Sequence, residues 1–240
     1  MCENVSIIIP VYKEKKKTIE KILKNLLNVK NKYEVIFVDS SNDTYLEEIV
    51  KYNKFTYIKS PKGRAVQMNR GFLESSGDLV FFLHSDSVIE EDCIDEIIFQ
   101  VKKKNIKFGC LSLYFDDGRL LMKICSFMSR LRVIFRKIAF GDQGLFFERK
   151  YFEKLGMYKE IQLMEDYDIS IRSKQIYPVV QISSKIITSS RKYYEGKGIF
   201  NKGSLSFIGI LLNMLDMQKY QRQFRKGYSP QNIAKEYYKK

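Results

Sequence analysis

Short apolar runs alternate with amphipathic stretches through the first half of the chain. Residues 5–11 are a β-branched run, Val5-Ser6-Ile7-Ile8-Ile9-Pro10-Val11, and read as a buried first strand. Over 14–27, Ile19, Ile22, Leu23, Leu26 and Leu27 recur on one helical face with lysines on the other. Residues 33–38 read as a second strand, 46–52 as a short helix and 55–58 as a third strand stopped by Ser60-Pro61. A helix follows over 64–74, with Ala65, Met68 and Phe72 inward. The next run, Leu79-Val80-Phe81-Phe82-Leu83, is apolar throughout rather than alternating. That pattern marks a strand buried on both faces, as in a parallel sheet covered by helices. It delivers His84-Ser85-Asp86 to its carboxyl end, where open sheets of this kind bind ligands.

The second half changes character. Ile94, Ile97, Ile98 and Val101 predict a further helix, and 108–115 a strand before the turn Asp116-Asp117-Gly118. Residues 120–140 form a long basic amphipathic segment, interrupted by Gly141-Asp142-Gln143-Gly144. Short elements are expected at 145–147 (strand), 149–155 (helix), 166–175 (helix) and 179–187 (strand), then helices over 204–224 and from Ser229-Pro230. The alternation of strand and helix predicts an α/β protein: a Rossmann-like, mostly parallel sheet with helices on both faces and a helical C-terminal extension.

Composition narrows the classes. At 240 residues, 45% hydrophobic and 14% aromatic, the chain has material for one large globular domain. No stretch is long and apolar enough to span a bilayer, and the N-terminus lacks the layout of a signal peptide. A cytoplasmic location is the expectation. The four cysteines show neither Cys-x-x-Cys spacing nor histidine partners, which argues against structural zinc; Cys93, Cys110 and Cys125 read as reduced, semi-buried positions. A net charge of +14 points to anionic partners. No nucleic-acid module is recognisable, so a membrane surface or a phosphorylated substrate is favoured over nucleic acid.

Several polar clusters sit behind the predicted strands. Asp39 reads as a ligand for a base or ribose hydroxyl, or as a helix N-cap. Arg64, after Gly63, reads as a fork for a phosphate, or as an ordinary solvated helix start. Asp86 suits a divalent cation, or an N-cap near Glu90. His84, the chain's only histidine, reads more readily as a strand-end side chain than as a ligand. Glu165, Asp166 and Asp168 are favoured at a helix start by the dipole alone, yet a carboxylate there can also take a proton from a hydroxyl.

Six landmarks, taken together over about residues 5–195, resemble the family 2 glycosyltransferases with the GT-A fold. They are Ser6-Ile7-Ile8-Ile9-Pro10-Val11-Tyr12, Val35-Ile36-Phe37-Val38-Asp39, Gly63-Arg64-Ala65-x-Gln67-x-Asn69-x-Gly71, Leu83-His84-Ser85-Asp86-Ser87, Gly141-Asp142-Gln143-x-Leu145-Phe146 and Glu165-Asp166-x-Asp168-x-x-x-Arg172. The third to fifth look like a bacterial-type subgroup. The resemblance implies that Pro10, Tyr12, Glu14 and Asp39 line a nucleotide pocket. It places Arg64, and Arg191 late in the chain, near a diphosphate. It makes Asp86 the holder of Mg²⁺ or Mn²⁺. It gives Asp166 the role of general base with Glu165 in support, and has Gly141, Asp142 and Gln143 shape the acceptor side. The usual family motif is Asp-x-Asp; here His84 replaces the first carboxylate.

The implied reaction is an inverting transfer of a sugar from a nucleoside-diphosphate donor to a sugar or lipid-linked acceptor. Residues 1–200 would form the GT-A domain, with a nucleotide half to about 115 and an acceptor half over 116–200; residues 201–240 would pack on it as the extension. A catalytically silent nucleotide-sugar-binding or membrane-surface protein is the alternative, and a nucleotidyltransferase the second. The segments 120–140 and 205–215 suit either the surface of an anionic membrane, or packing on the sheet or against a second copy in a homodimer.

Overall fold

The computed structural model describes residues 4–30, 33–41, 43–190 and 207–239. Strand and helix alternate as β1 (Val5–Val11), α1 (Lys16–Asn28), β2 (Glu34–Asp39), α2 (Thr44–Tyr52), β3 (Thr56–Lys59), α3 (Arg64–Leu73) and β4 (Leu79–Phe82). There follow β5 (Ser87–Ile89), α4 (Cys93–Lys104), β6 (Phe108–Phe115), α5 (Leu120–Arg136), a 3₁₀ turn (Gly141–Gln143), β7 (Leu145–Glu148) and α6 (Arg149–Lys154). The rest is α7 (Glu165–Lys174), β8 (Val180–Thr188), α8 (Phe207–Arg225) and α9 (Pro230–Lys239).

The strands form one sheet in the order β3-β2-β1-β4-β7-β6-β8-β5. Its first half, β3-β2-β1-β4, is wholly parallel. Beyond β4 the sheet is mixed: β7 runs antiparallel to both β4 and β6, β6 and β8 are parallel, and β5 is antiparallel to β8. The connections from β1 lead towards β2 and β3 on one side, whereas β4 lies on the other. This reversal is the switch point at which α/β sheets leave a crevice beyond the strand ends.

Two cores cover the two faces of the sheet. On one face α1, α2 and α4 pack on Ile7, Ile9, Phe37, Phe81 and Leu83. On the other, α3, α6 and α7 pack on Ile8, Ile36, Val38, Val80 and Phe82. A third cluster joins the C-terminal helices to the body, with Tyr220 and Ile233 against Ile138, Met164 and Tyr167.

Three expectations change. Cys93, Cys110 and Cys125 are buried free thiols rather than semi-buried ones, because each lies on the inward side of its element; burial pushes the Cys93 thiol up to about 12. The helix expected over 120–140 ends at Arg136, where Lys137 turns left-handed at φ 55° and closes it. The stretch after Asp86, where the sequence pattern predicts no strand, contains β5, whose pairing with β8 includes a Ser87–Thr188 hydroxyl hydrogen bond of 2.8 Å.

Candidate active site at the carboxyl edge of the sheet

The helix α3 explains how its motif works. Gly63 takes φ 149°, open to glycine, and starts the helix at Arg64. Gln67 is buried, and its amide donates to the Val11 and Val38 carbonyls at 2.8 and 2.7 Å, tying α3 to the ends of β1 and β2. Asn69 exchanges two hydrogen bonds with the backbone of Tyr158. These residues position the helix; Arg64 alone of the motif's polar side chains reaches towards the acidic pair.

The acidic pair opens α7. Met164 precedes it in the left-handed region at φ 73°, uncommon for a side chain of this size and held by burial. Glu165 accepts from Arg64 Nε, and its carboxylate is 2% exposed. Burial pushes its pKa up, with the Arg64 charge opposing and Asp166 adding to the rise. Asp166 Oδ2 accepts from the Gly141 N–H at 2.9 Å and Oδ1 from the Tyr167 N–H at 2.7 Å. The Arg64 guanidinium lies 3.7 Å from Asp166. Asp168 and Arg172 face elsewhere. Their 2.6 Å ion pair, with Lys159 on Asp168 and Arg172 on the Met157 carbonyl at 2.7 Å, clamps the 155–159 loop. The acidic motif therefore divides into a pair at the cleft and a structural clamp behind it.

The 139–143 loop is fastened to α7. The Ser170 hydroxyl donates to the Ala139 carbonyl at 2.9 Å and accepts from its N–H at 3.2 Å. A methyl group on Gly141 would stand 2.7 Å from His84 Nε2 and 3.5 Å from Asp166 Oδ2. Only glycine lets β4's end, this loop and the acidic pair close on one another. His84, just past the end of β4 as the sequence suggested, thus packs against Gly141, whose N–H donates to Asp166. Gln143 is buried within the loop, its Oε1 accepting from Arg132 at 2.7 Å and from the Phe140 N–H at 3.1 Å. It braces the loop from within. Arg132 was not singled out in the sequence; its role depends on a contact eleven residues away.

Towards β2 the strand ends carry a different set of side chains. Asp39 is buried and accepts from the Ser41 amide and hydroxyl, the Asp43 amide and the Tyr57 hydroxyl. It caps no helix: Asp43 caps α2, accepting from Tyr45 and Leu46, and Asp92 stands before α4 where Asp86 was the alternative. Pro10 and Glu14 are half-buried and Tyr12 is exposed, with Lys62 Nζ 4.4 Å from its ring centre. Asp86 lies half-buried in a turn closed by the Ser87 N–H on the His84 carbonyl at 3.1 Å, and Asp142 is half-buried in the 3₁₀ turn. Arg191 lies outside the described residues; the chain before it is pinned by Ser190 on Asp116 at 2.8 Å.

The structure thus brings Arg64, His84, Gly141, Glu165 and Asp166 together at the switch point. Residues 6–156 match the model of glycosyl transferase family 2. The chain belongs to this family. The match ends before α7; the Gly141–Asp166 hydrogen bond and the contacts of Arg64 with Glu165 and Asp166 join the acidic pair to the family 2 region. A probable glycosyltransferase of Bacillus subtilis, YdaM, is 24% identical over 193 residues, 70% of this chain and 46% of that protein. Among solved structures, the mannosyltransferase PcManGT of Pyrobaculum calidifontis, in complex with GDP-Man and Mn²⁺, matches at TM-score 0.62 and 18% identity over 76% of this chain and 56% of its own. TarS 1–349 of S. aureus, in complex with UDP-GlcNAc, matches at TM-score 0.62 and 17% identity over 78% and 59%. At these identities the likeness is one of fold, and it is the GT-A fold expected for family 2. The chain spans about half the length of these relatives.

Proposed function

We propose that the chain transfers a sugar from a nucleoside-diphosphate donor to an acceptor hydroxyl with inversion, Asp166 being the general base. The observation that carries this reading is the Asp166 carboxylate, oriented by the Gly141 and Tyr167 N–H groups and 3.7 Å from the Arg64 guanidinium, with His84 packed on the same glycine. A carboxylate so fixed takes the proton of the acceptor hydroxyl as its oxygen attacks the anomeric carbon in line. The bond from that carbon to the phosphate oxygen breaks, and the nucleoside diphosphate leaves with the electron pair. Buried Glu165, paired with Arg64, holds the guanidinium at the mouth, where its remaining N–H groups meet the developing negative charge.

The donor's nucleotide is assigned to the β1–β2 side, with Pro10, Tyr12, Glu14 and Asp39. The exposed Tyr12 ring offers a face for a base, and Lys62 and Lys13 flank it. Residues up to about 115 then serve the donor, 116–200 with Asp142 serve the acceptor, and 201–240 extend the same domain. Among the described residues no group of three His, Cys, Asp or Glu side chains could hold a metal by itself. The donor set fits a hard cation shared with phosphates: Mg²⁺ commonly takes one or two carboxylates and completes its shell from substrate. Asp86, with His84 two residues before it, would hold Mg²⁺ or Mn²⁺, which supplies charge to the leaving diphosphate.

The test is a screen of UDP- and GDP-sugars for binding and hydrolysis with Mn²⁺ or Mg²⁺. Asp166→Asn should keep donor binding and lose about 10²–10⁴ in turnover. Failure of every donor to bind, with or without metal, would remove the transferase reading. Binding without turnover in the unaltered chain would favour the silent nucleotide-sugar-binding protein.

A further inference from the structure

The helix α5 is mounted with its large apolar face outward. Leu120, Ile124, Phe127, Met128, Ile134 and Phe135 are all exposed, Leu120 at 74% and Phe135 at 77%. At 100° per residue they fall within an arc of about 120°, a single face. Beneath, the helix buries Met122, Cys125, Ser126 and Val133, a narrower and partly polar set. Six of the fifteen large hydrophobic side chains exposed among the described residues belong to this one helix. Surface patches of this kind mark interaction sites, whereas scattered exposed hydrophobics do not.

Cations border the face. Lys123 and Arg130 follow one side of the helix, and Arg132 and Arg136 the other. On the second side lies a cleft of about 880 Å³ between α5, α7 and α8, to which Lys174, Arg222 and Arg225 also contribute; among the described residues no carboxylate lines it. An apolar face edged by cations on both sides has the layout of a helix lying in the headgroup region of an anionic bilayer. A second copy is a poorer occupant. A symmetric contact through α5 would set these cations against their own counterparts in a chain of net charge +14. No helix among the described residues is long and apolar enough to cross a membrane, so contact through α5 would be lateral.

We infer that α5 is a docking surface for anionic lipid bilayers: its aromatic and aliphatic side chains enter the interface, and the basic cleft beside it receives lipid phosphates. Docking there holds the 139–143 loop, and with it Asp166, close to the bilayer surface. An acceptor carried on a lipid would be presented at that level; this consequence rests on the transferase reading, and the docking itself does not.

The chain contains no tryptophan, so Phe135→Trp gives a single fluorescent reporter on the face. Phe99→Trp, on α4 over the opposite side of the sheet, is its control. With phosphatidylglycerol vesicles the Phe135→Trp emission should shift to the blue and be quenched by lipids brominated in their acyl chains. It should stay unchanged with phosphatidylcholine vesicles, and the control should not move with either. In co-sedimentation, Phe127→Ser and Phe135→Ser should each weaken vesicle binding about tenfold. Arg222→Gln with Arg225→Gln should weaken it most at low salt. An unshifted reporter at low salt, or serine variants that bind as well as the unaltered chain, would overturn the inference. So would emission already blue without lipid, or moving with protein concentration, since either assigns the face to protein.

Discussion

Asp39 shows how a single carboxylate is kept charged out of water. It is 1% exposed, and burial by itself would raise its pKa. The hydrogen bonds from Ser41, Tyr57 and Asp43 outweigh that and hold it below the ordinary carboxylate value. The same contact, after the larger effect of burial, pushes the Tyr57 hydroxyl upward. A carboxyl depressed in the folded state stabilises above its unfolded pKa of about 3.9, and that contribution is lost as pH falls through the native value. Asp39→Asn should therefore cost about 1.5–3 kcal/mol at neutral pH. Thermal melts of both proteins across pH should show the gap closing under acid conditions. A gap that stays constant to the lowest pH would mean that the charge is not what these groups hold. His84 illustrates the opposite case, for nothing in its sequence position reveals that Gly141 leaves room for it against the 139–143 loop.

At the scale of elements, α3 depends on one buried side chain. Gln67 spans from the helix to the last carbonyl-bearing turns of two strands, and Arg64 sits one turn before it. Gln67→Met keeps the volume but removes both donors. It should destabilise the fold by about 1–3 kcal/mol, read from urea unfolding, and weaken donor binding by loosening Arg64. Full stability in this variant would show that the strand ends do not need the helix. The boundaries of α3 and β6 are legible in the sequence because their residues pack by simple periodicity. β5 is not legible: three residues have no period, and the strand exists through β8, which lies a hundred residues away. The orientation of α5 is also hidden. Its amphipathic pattern shows two faces without saying which one the sheet receives, and the sheet receives the smaller.

For the whole molecule, the separation of the donor groups decides how ligands couple. Asp86 stands as the one carboxylate of the His84-Ser85-Asp86 turn, so a cation there needs the donor's phosphates to complete its shell. Mn²⁺ and a nucleoside diphosphate should each raise the other's affinity by the same factor. Calorimetric titration of each in the presence and absence of the other would measure that factor, and Asp86→Asn should bring it close to one. Mn²⁺ that bound equally well without nucleotide would contradict a shared site. The sequence by itself determined the α/β class, most element boundaries and the six landmarks that mark family 2, because these follow from local periodicity and from residue types at fixed spacing. Only the tertiary structure decided which landmark residues share a site. It turned Gln67, Asn69, Gln143, Asp168 and Arg172 into supports and gathered Arg64, His84, Gly141, Glu165 and Asp166 at the mouth. The reason is physical. A residue's chemical type and its neighbours along the chain set what it can bind, but its partner is chosen by the crossing of strands and loops far apart in sequence. The Gly141 N–H on Asp166, 25 residues away, is a contact of that kind.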